Sequence, residues 1–353
     1  MLNDLKRLCA LCGISGDEGA VREFLIEEIE KCPDILECRT DPLGNLLVHK
    51  KGKAPAKRTV LIGAHMDEVG LIVTDILPDG RLSVEPVGGI EPDVVIGRAV
   101  QIPAMEGETH APYLGVIGAE PVHNLSAKQR DEKPDKKLLT VDVGTKDRDA
   151  TIDLHILPGD SVCYYSEWTE LGGGRVASKA IDDRFGCAAM LEMLRGEIAY
   201  DTWFAFFVQE EIGLRGSQAA AYTVNPDAAL ILETTTAADL DGVSGGAAVC
   251  RLGGGPVVSF MDRRTIYDKA LYRAAFRKAQ EMGIPCQTKT RIAGGNDAGS
   301  VHISRGGVQT MAISIPCRYL HAPYTVAQIS DIEQSAALAA QMLEVLHTIG
   351  EQA

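Results

Sequence analysis

Short apolar segments that end in acidic or imidazole side chains most restrict how this chain can fold. TVLIGA runs into His65, TWFAFFVQ runs into Glu210 and Glu211, and AALILE ends at Glu233. Apolar runs of this length predict buried strands, which are typical of α/β proteins with helices packed on the sheet. A carboxylate at the end of such a strand is costly unless it is paired or binds a cation. These strand ends are therefore the first candidates for a metal site.

The domain organisation follows from a change of pattern along the chain. Helical and strand-like segments are interspersed in the first and last parts, whereas from about residue 70 short alternating runs are broken by Gly, Pro and Asp. This pattern favours a β-rich unit without helices. We predict an α/β domain formed by residues 1–69 and 164–353, interrupted by a β-rich domain at 70–163. The most polar segment, residues 123–137, is predicted to be an exposed loop.

Charge and composition exclude several classes of protein. The 353 residues carry a net charge of -14, which argues against nucleic acid as a partner because phosphates require basic surfaces. No apolar run approaches the roughly 20 residues that span a bilayer, and no secretory signal is evident. The nine cysteines lack the spacing of a disulfide framework, so reduced thiols and a cytoplasmic location are expected.

His65 and Asp67 form the first candidate pair. Two residues apart at a strand end, they are expected to point to one face of the sheet. A metal-bound imidazole usually donates its other N–H to an oxygen acceptor, and Asp67 could be that acceptor. A histidine–aspartate hydrogen bond without a metal is the alternative.

The remaining candidates are mostly acidic. Asp182 opens a helix, where it either caps the positive end of the helix dipole or bridges two cations. Glu210 and Glu211 are either a solvated strand end or a metal ligand beside a general base, as a two-metal hydrolase requires. Glu233 and His321 are further candidate ligands. Together these residues supply enough ligands for two ions.

The order of these strings resembles a known family. GISGDEGAVR, DPLGN, GAHMDEVG, KAIDDRFG, QEEIGLRG, LGGGP, GGNDAGSVH and YLHAPYT follow one another along the chain. They are similar to the tetrahedral aminopeptidases, also called glutamyl or deblocking aminopeptidases, some of which were formerly labelled endoglucanases. The resemblance covers nearly the whole chain. It implies a mixed-sheet α/β/α metallopeptidase domain with a barrel-like insertion.

The resemblance also implies roles for individual residues. One metal ion would be held by His65, Asp182 and Glu233, and a second by Asp182, Glu211 and His321. Glu210 would be the catalytic base and Asp67 the partner of His65. The family uses zinc or cobalt and acts on peptides. Its members form homo-oligomers through the inserted domain, built from dimers up to dodecamers. The resemblance further implies a cis peptide bond between Asp182 and Asp183.

One position departs from the family pattern, and other functions stay open. Glu233 stands where the family usually has aspartate. This difference keeps open a metal-dependent deacylase or a peptidase of other terminal specificity. A glycoside hydrolase would use paired carboxylates such as Glu210 and Glu211, but it leaves His65 and His321 without a role. A non-catalytic scaffold would lack a ligand or a base, and none is missing.

Overall fold

The computed structural model describes residues 1–103, 111–119, 123, 126 and 139–349. They form one large mixed sheet covered by helices, together with a closed barrel. The predicted polar loop at 123–137 lies outside the described residues, apart from positions 123 and 126, which are both exposed.

The helices and strands follow one another along the whole described chain. The helices are α1 (Leu2–Ala10), α2 (Gly19–Ile29), α3 (Pro92–Val95), α4 (Arg148–Ile152), α5 (Ile181–Arg195), α6 (Arg215–Val224), α7 (Lys269–Met282), α8 (Ala298–Val301) and α9 (Ile329–Thr348). The strands are β1 (Ile35–Thr40), β2 (Leu46–Lys50), β3 (Val60–His65), β4 (Gly70–Ile76), β5 (Leu82–Val87), β6 (Ala99–Ile102), β7 (Tyr113–Gly118), β8 (Thr140–Asp142), β9 (Ser161–Tyr164), β10 (Thr169–Leu171), β11 (Arg175–Ser178), β12 (Thr202–Phe207), β13 (Ala228–Thr236), β14 (Val257–Val258), β15 (Gln287–Thr288), β16 (Gln309–Arg318) and β17 (Thr325–Gln328).

The large sheet has a parallel centre and antiparallel flanks. Its order is β1-β2-β12-β3-β13-β16-β17-β11-β10, and β14 and β15 branch from β16. The neighbours β12, β3, β13 and β16 run parallel to one another. The carboxyl ends of these four strands therefore meet at one edge of the sheet, where open α/β sheets place their sites.

Both faces of the sheet are buried, because side chains that alternate along the central strands pack against helices on opposite sides. In β3, Val60 and Ile62 pack with Phe185 of α5 in one core, whereas Leu61 packs with Ala220 and Ala221 of α6 in another. Because successive side chains of a strand point to opposite faces, an apolar strand of this kind requires helices on both sides. The predicted mixed-sheet α/β/α class is confirmed.

The barrel is closed by strands in the order β4-β5-β8-β7-β6-β9. Its interior is apolar and includes the buried side chains of Leu71, Val84, Val100, Ile117 and Val162. The barrel-like insertion is thus confirmed, but the expectation of a unit without helices was wrong. Pro92 begins α3, where its fixed φ suits a first helical turn. Asp147 caps α4 by accepting a hydrogen bond from the Ala150 amide at 2.9 Å.

Strand β13 continues beyond its predicted end at Glu233. Residues 234–236 are threonines, which favour extended backbone, and they pair with residues 315–317 of β16. Glu233 therefore projects from within a paired strand, because the residues before and after it both pair with β16.

Two further observations concern the whole described chain. No described helix combines the length and the apolarity needed to cross a membrane. All nine cysteines lie in the described part, and each is a free thiol.

Candidate metal centre

The structure brings the predicted ligands together at the carboxyl edge of the parallel strands. His65 ends β3, Glu210 and Glu211 follow β12, and Glu233 lies in β13. Asp182 comes from the start of α5, and His321 lies in the loop between β16 and β17. Three groups of these side chains have ligand atoms within 4.8 Å of one another: His65 with Asp182 and Glu233, His65 with Glu210 and Glu211, and Asp182 with Glu211 and His321.

Asp182 lies between the two histidines. Its Oδ1 is 3.4 Å from His65 Nε2, and its Oδ2 is 3.7 Å from His321 Nε2. Each histidine also faces a second carboxylate: Glu233 Oε1 lies 3.7 Å from His65 Nε2, and Glu211 Oε2 lies 3.4 Å from His321 Nε2. These contacts form two groups of candidate ligands that share Asp182.

Both imidazole rings are oriented through their Nδ1 atoms. His65 Nδ1 lies 3.1 Å from the backbone oxygen of Asp67 and 3.5 Å from its carboxylate. His321 Nδ1 lies 2.9 Å from the backbone oxygen of Gly89, and a Cβ at Gly89 would lie only 3.2 Å from that nitrogen. When Nδ1 donates to an oxygen, Nε2 is left unprotonated and can bind a cation.

The contact from Gly89 was not predicted from the sequence. Gly89 belongs to the segment between β5 and α3, within the predicted insertion. A backbone carbonyl leaves no residue-type signal in the sequence. The inserted unit therefore orients a ligand even though it offers no candidate ligand side chain within its described part.

Asp67 does more than contact His65. Its Oδ1 accepts a hydrogen bond from the Glu210 amide at 3.0 Å, and its Oδ2 accepts one from the Glu211 amide at 3.1 Å. The Ser15 hydroxyl donates to the same Oδ2 at 2.6 Å. One buried carboxylate thus fixes the backbone of both glutamates, and Ser15, which had not been predicted, fixes the carboxylate.

The Asp182–Asp183 peptide bond is cis, as the family resemblance implies. The two aspartates point to different surroundings. Asp183 is fully buried, and its Oδ1 accepts a hydrogen bond from the Gly186 amide at 3.0 Å. Only Asp182 belongs to the ligand cluster, so the helix-capping interpretation applies to its neighbour.

Residues beside the cluster adopt unusual backbone angles. Ala180, Gln209, Leu214 and His321 all have positive φ, between 54° and 60°, although none is glycine. For an L residue this conformation costs about 1–3 kcal/mol and persists where the surrounding structure enforces it. Such residues concentrate at functional sites, which agrees with the position of the cluster.

Electrostatics within the cluster favour a bound cation. Burial raises the pKa of Glu211 well above its usual range, and the nearby charge of Asp182 raises it further. Burial and Asp182 together raise the pKa of Glu233 to about 8. Burial alone would lower the pKa of His65, but contacts with Asp182, Asp67 and Glu233 outweigh burial and raise it. The protein alone does not balance the charge of these carboxylates.

The donor set suits divalent transition metals. Asp182 Oδ1 is buried and has no hydrogen-bond partner among the described residues. Two imidazole nitrogens surrounded by carboxylate oxygens match the preferences of zinc and similar ions. The cluster therefore fits the metal ions that the sequence implies. The cluster lines part of a cleft of about 560 Å³.

Comparison with known proteins identifies the family. The family described as M42 glutamyl aminopeptidase matches residues 44–338. The chain belongs to this family. It is therefore a peptide hydrolase, and its family supports an aminopeptidase activity.

Individual relatives resemble the chain over nearly its whole length. The lysyl aminopeptidase of Pyrococcus furiosus is 33% identical over 347 residues, covering 97% of this chain and 96% of the relative. An aminopeptidase structure from Desulfurococcus kamchatkensis has a TM-score of 0.89 at 32% identity, covering 96% and 93% of the two chains. The Pyrococcus horikoshii TET1 peptidase, which can assemble into a tetrahedron or a large octahedral shell, has a TM-score of 0.83 at 30% identity, covering 97% and 98%.

Proposed function

We propose that this M42 member is a dinuclear metal-dependent aminopeptidase that removes N-terminal residues from peptides. The position of Asp182 carries the proposal, because its two carboxylate oxygens face two different histidines at 3.4 and 3.7 Å. A carboxylate in this position suits a bridge between two cations. None of the candidate ligand groups among the described residues contains both histidines.

Two divalent ions, zinc or cobalt, are assigned to the cluster. His65, Asp182 and Glu233 would hold one ion, and Asp182, Glu211 and His321 the other. When bound, such ions polarise a carbonyl group and lower the pKa of water.

The side chains then have distinct tasks in peptide hydrolysis. Glu210 takes a proton from the attacking water as the water oxygen bonds to the scissile carbonyl carbon. As the C–N bond breaks, Glu210 returns that proton to the leaving nitrogen. Asp67 is a positioning residue, because it holds the backbone of Glu210 and Glu211 and orients His65.

The surroundings of Glu210 support its role as base. Burial raises the pKa of its carboxyl group well above the usual range. The charge of His65 opposes this only in part, because Asp297, Glu233 and Glu211 lie nearby. A carboxylate with a raised pKa holds a proton more readily between its two transfers.

The proposal predicts hydrolysis that requires both a metal ion and a free N-terminus. Protein stripped with a chelator should be inactive on aminoacyl p-nitroanilides and on short peptides, and zinc or cobalt should restore turnover. N-acetylated versions of the same peptides should remain intact. Circular dichroism of the stripped protein controls for unfolding. Release of acetate, or cleavage of blocked peptides at comparable rates, would favour the deacylase or a peptidase of other terminal specificity.

We also propose that residues 70–163 form an assembly domain inserted into a catalytic domain of residues 1–69 and 164–353. The TET1 peptidase of similar fold forms closed particles. In this chain Leu114 and Val116 point outward from β7 with 56% and 49% of their surfaces exposed. Adjacent exposed apolar side chains on one strand face suit contact with a second copy.

The double variant Leu114→Glu/Val116→Glu is expected to give smaller particles, because two charges would be buried at the proposed contact. Light scattering after size exclusion measures the mass. Leu36→Glu is the matched control, since Leu36 is 54% exposed but lies in β1 of the large sheet. If the double variant keeps the wild-type mass, this barrel face is not the assembly surface.

A further inference from the structure

One outer face of the barrel is covered by other parts of the chain. Val162 of β9 packs inside the barrel, so Ser161 and Cys163, which flank it along the strand, point outward. The Ser161 hydroxyl donates to Asp17 Oδ2 at 2.6 Å, which places the segment between α1 and α2 against this face. Cys163 is fully buried although it points away from the barrel interior. Its thiol therefore lies in the contact between the barrel and that segment.

Cys12, in the same segment, lies beside this thiol. Gln101 of β6 is the cross-strand partner of Cys163, so the two side chains share the outward face, with their Cβ atoms about 5 Å apart. The Gln101 amide donates to Cys12 Sγ at 3.0 Å. The two thiols also share a hydrogen bond, which Cys163 donates to Cys12. Two cysteines that are distant in the sequence are therefore in contact.

The two thiols differ in how readily they lose a proton. The hydrogen bond from Cys163 lowers the pKa of Cys12 against the effect of burial, and the Lys179 ammonium lowers it further, partly offset by Glu68. The same hydrogen bond, together with burial, raises the pKa of Cys163 well above its usual range. Because the thiolate is the nucleophilic form of cysteine, Cys12 is suited to attack and Cys163 to keep its proton.

A surface cavity gives small molecules access to Cys12. The cavity has a volume of about 370 Å³, and its lining includes Gln101 and Lys179, both neighbours of Cys12. Cys12 itself is partly exposed. Cys9, three residues earlier in α1, is fully buried, and burial raises its pKa to about 12. An accessible thiol with a lowered pKa beside a second cysteine has the features of a redox-sensitive site, and Cys9 lacks them.

We propose that Cys12 and Cys163 form a reversible redox site that hydrogen peroxide or an organic hydroperoxide oxidises. The Cys12 thiolate bonds to one peroxide oxygen, the O–O bond breaks, and the departing hydroxide or alkoxide takes a proton from solvent, which leaves a sulfenic acid on Cys12. Cys163 sulfur then attacks the sulfenic sulfur, and the hydroxyl group leaves as water with the Cys163 proton. The peroxide gains two electrons, and the two thiols become one disulfide between residue 12 and β9.

The disulfide would act on the candidate metal centre through the backbone that follows Cys12. The Gly13 carbonyl oxygen accepts a hydrogen bond from the Glu68 amide at 2.9 Å, and the Ser15 hydroxyl donates to Asp67 at 2.6 Å. An S–S bond of about 2.05 Å is shorter than the contact between two thiols, so closing it draws Cys12 toward β9. These hydrogen bonds are then disturbed. Turnover should fall on oxidation, an effect that rests on the proposed aminopeptidase function.

Mass spectrometry detects the disulfide without reference to activity. The zinc-loaded protein is treated with hydrogen peroxide, its free thiols are alkylated, and it is digested with trypsin. We expect the peptide of residues 8–22, which carries Cys12, to be joined to the peptide of residues 149–175, which carries Cys163. A phosphine reductant should separate the two peptides.

Cysteine variants assign the linkage. Cys12→Ser and Cys163→Ser should each abolish the linked peptide, and Cys163→Ser should accumulate a sulfenic acid that dimedone traps. Cys9→Ala is the matched control, because Cys9 lies on the same tryptic peptide as Cys12 but is fully buried. This variant should form the linked peptide as the wild type does.

Turnover gives the second readout, on any aminoacyl p-nitroanilide that the reduced enzyme hydrolyses. Oxidation should lower kcat of the wild type by roughly two- to tenfold, as the loss of one hydrogen bond would, and reduction should restore it. Cys12→Ser should keep its kcat in peroxide. Each variant is compared with itself before and after oxidation, so partial unfolding does not alter the ratio.

The outcomes separate this proposal from the proposed function. Free Cys12 and Cys163 after treatment with excess peroxide, or a disulfide between Cys9 and Cys12, would overturn the redox site. A linked peptide with unchanged kcat would overturn its effect on turnover. Absence of turnover on all anilides and free peptides would overturn the proposed function, whereas the linked peptide would still establish the redox site.

Discussion

Replacing Glu210 by glutamine is expected to lower kcat by roughly 10²–10⁴-fold while both metal ions stay bound, since general acid–base catalysis contributes about this much. The contacts of the two adjacent glutamates differ. Glu211 Oε2 faces His321 Nε2 at 3.4 Å, whereas no hydrogen bond or ion pair of the Glu210 carboxylate occurs among the described residues. Glu210 is thus free to exchange a proton, and its glutamine variant cannot.

Glu211→Gln is the matched control at the neighbouring position. It removes the same charge, but we expect it to weaken one metal site and thereby lower the metal content as well as kcat. Elemental analysis of both variants, together with kcat at saturating metal, distinguishes the roles. Equal metal loss in the two variants would contradict them, and would favour the alternative group in which His65, Glu210 and Glu211 bind one ion.

The largest effect on stability is expected at Glu68. This residue pairs with Lys179 Nζ at 2.6 Å and lies 3.5 Å from Arg184, and the three side chains are between 0% and 3% exposed. Glu68→Ala would leave two buried cations without a counter-ion. Breaking a buried pair in this way costs about 3–5 kcal/mol. We therefore expect a lower thermal midpoint and, because Asp67 precedes Glu68, a loss of turnover.

The control for Glu68 is an exposed ion pair. Glu37 and Arg39 pair on β1 with about two-fifths of each side chain exposed (42% and 41%). Glu37→Ala is expected to change the unfolding free energy by less than about 1 kcal/mol, because solvent screens such pairs. Thermal denaturation of both variants by fluorimetry gives the comparison. Similar midpoints for the two variants would mean that Glu68 does not compensate the buried cations.

The sequence predicted the strand ends well because apolar runs and charged residues are local signals. His65, Glu210 and Glu211 stood directly after such runs, and parallel strands bring their carboxyl ends together. His321, in a loop between strands, could be placed only through the family resemblance. The prediction of an insertion without helices was wrong, because α3 and α4 are too short to give a clear helical periodicity in the sequence.

The contacts that orient the site were not predictable in the same way. Ser15 and Gly89 reach the site from sequence-distant segments, and Gly89 contributes only a backbone oxygen. Lys289 and Arg291 likewise line the cleft because β15, which they follow, pairs with β14. Such contacts depend on tertiary packing. The cytoplasmic location and the exact domain boundaries stay predictions.

The contact between Gly89 and His321 constrains how this protein can evolve. The segment that follows β5 of the barrel orients the imidazole of a candidate ligand through one carbonyl oxygen. Gly88 has a φ of 86° and Gly89 approaches the ring closely, so neither position readily accepts a side chain. Substitutions on the outer face of the barrel leave this contact intact, whereas any change that moves the turn also moves His321 relative to the other candidate ligands.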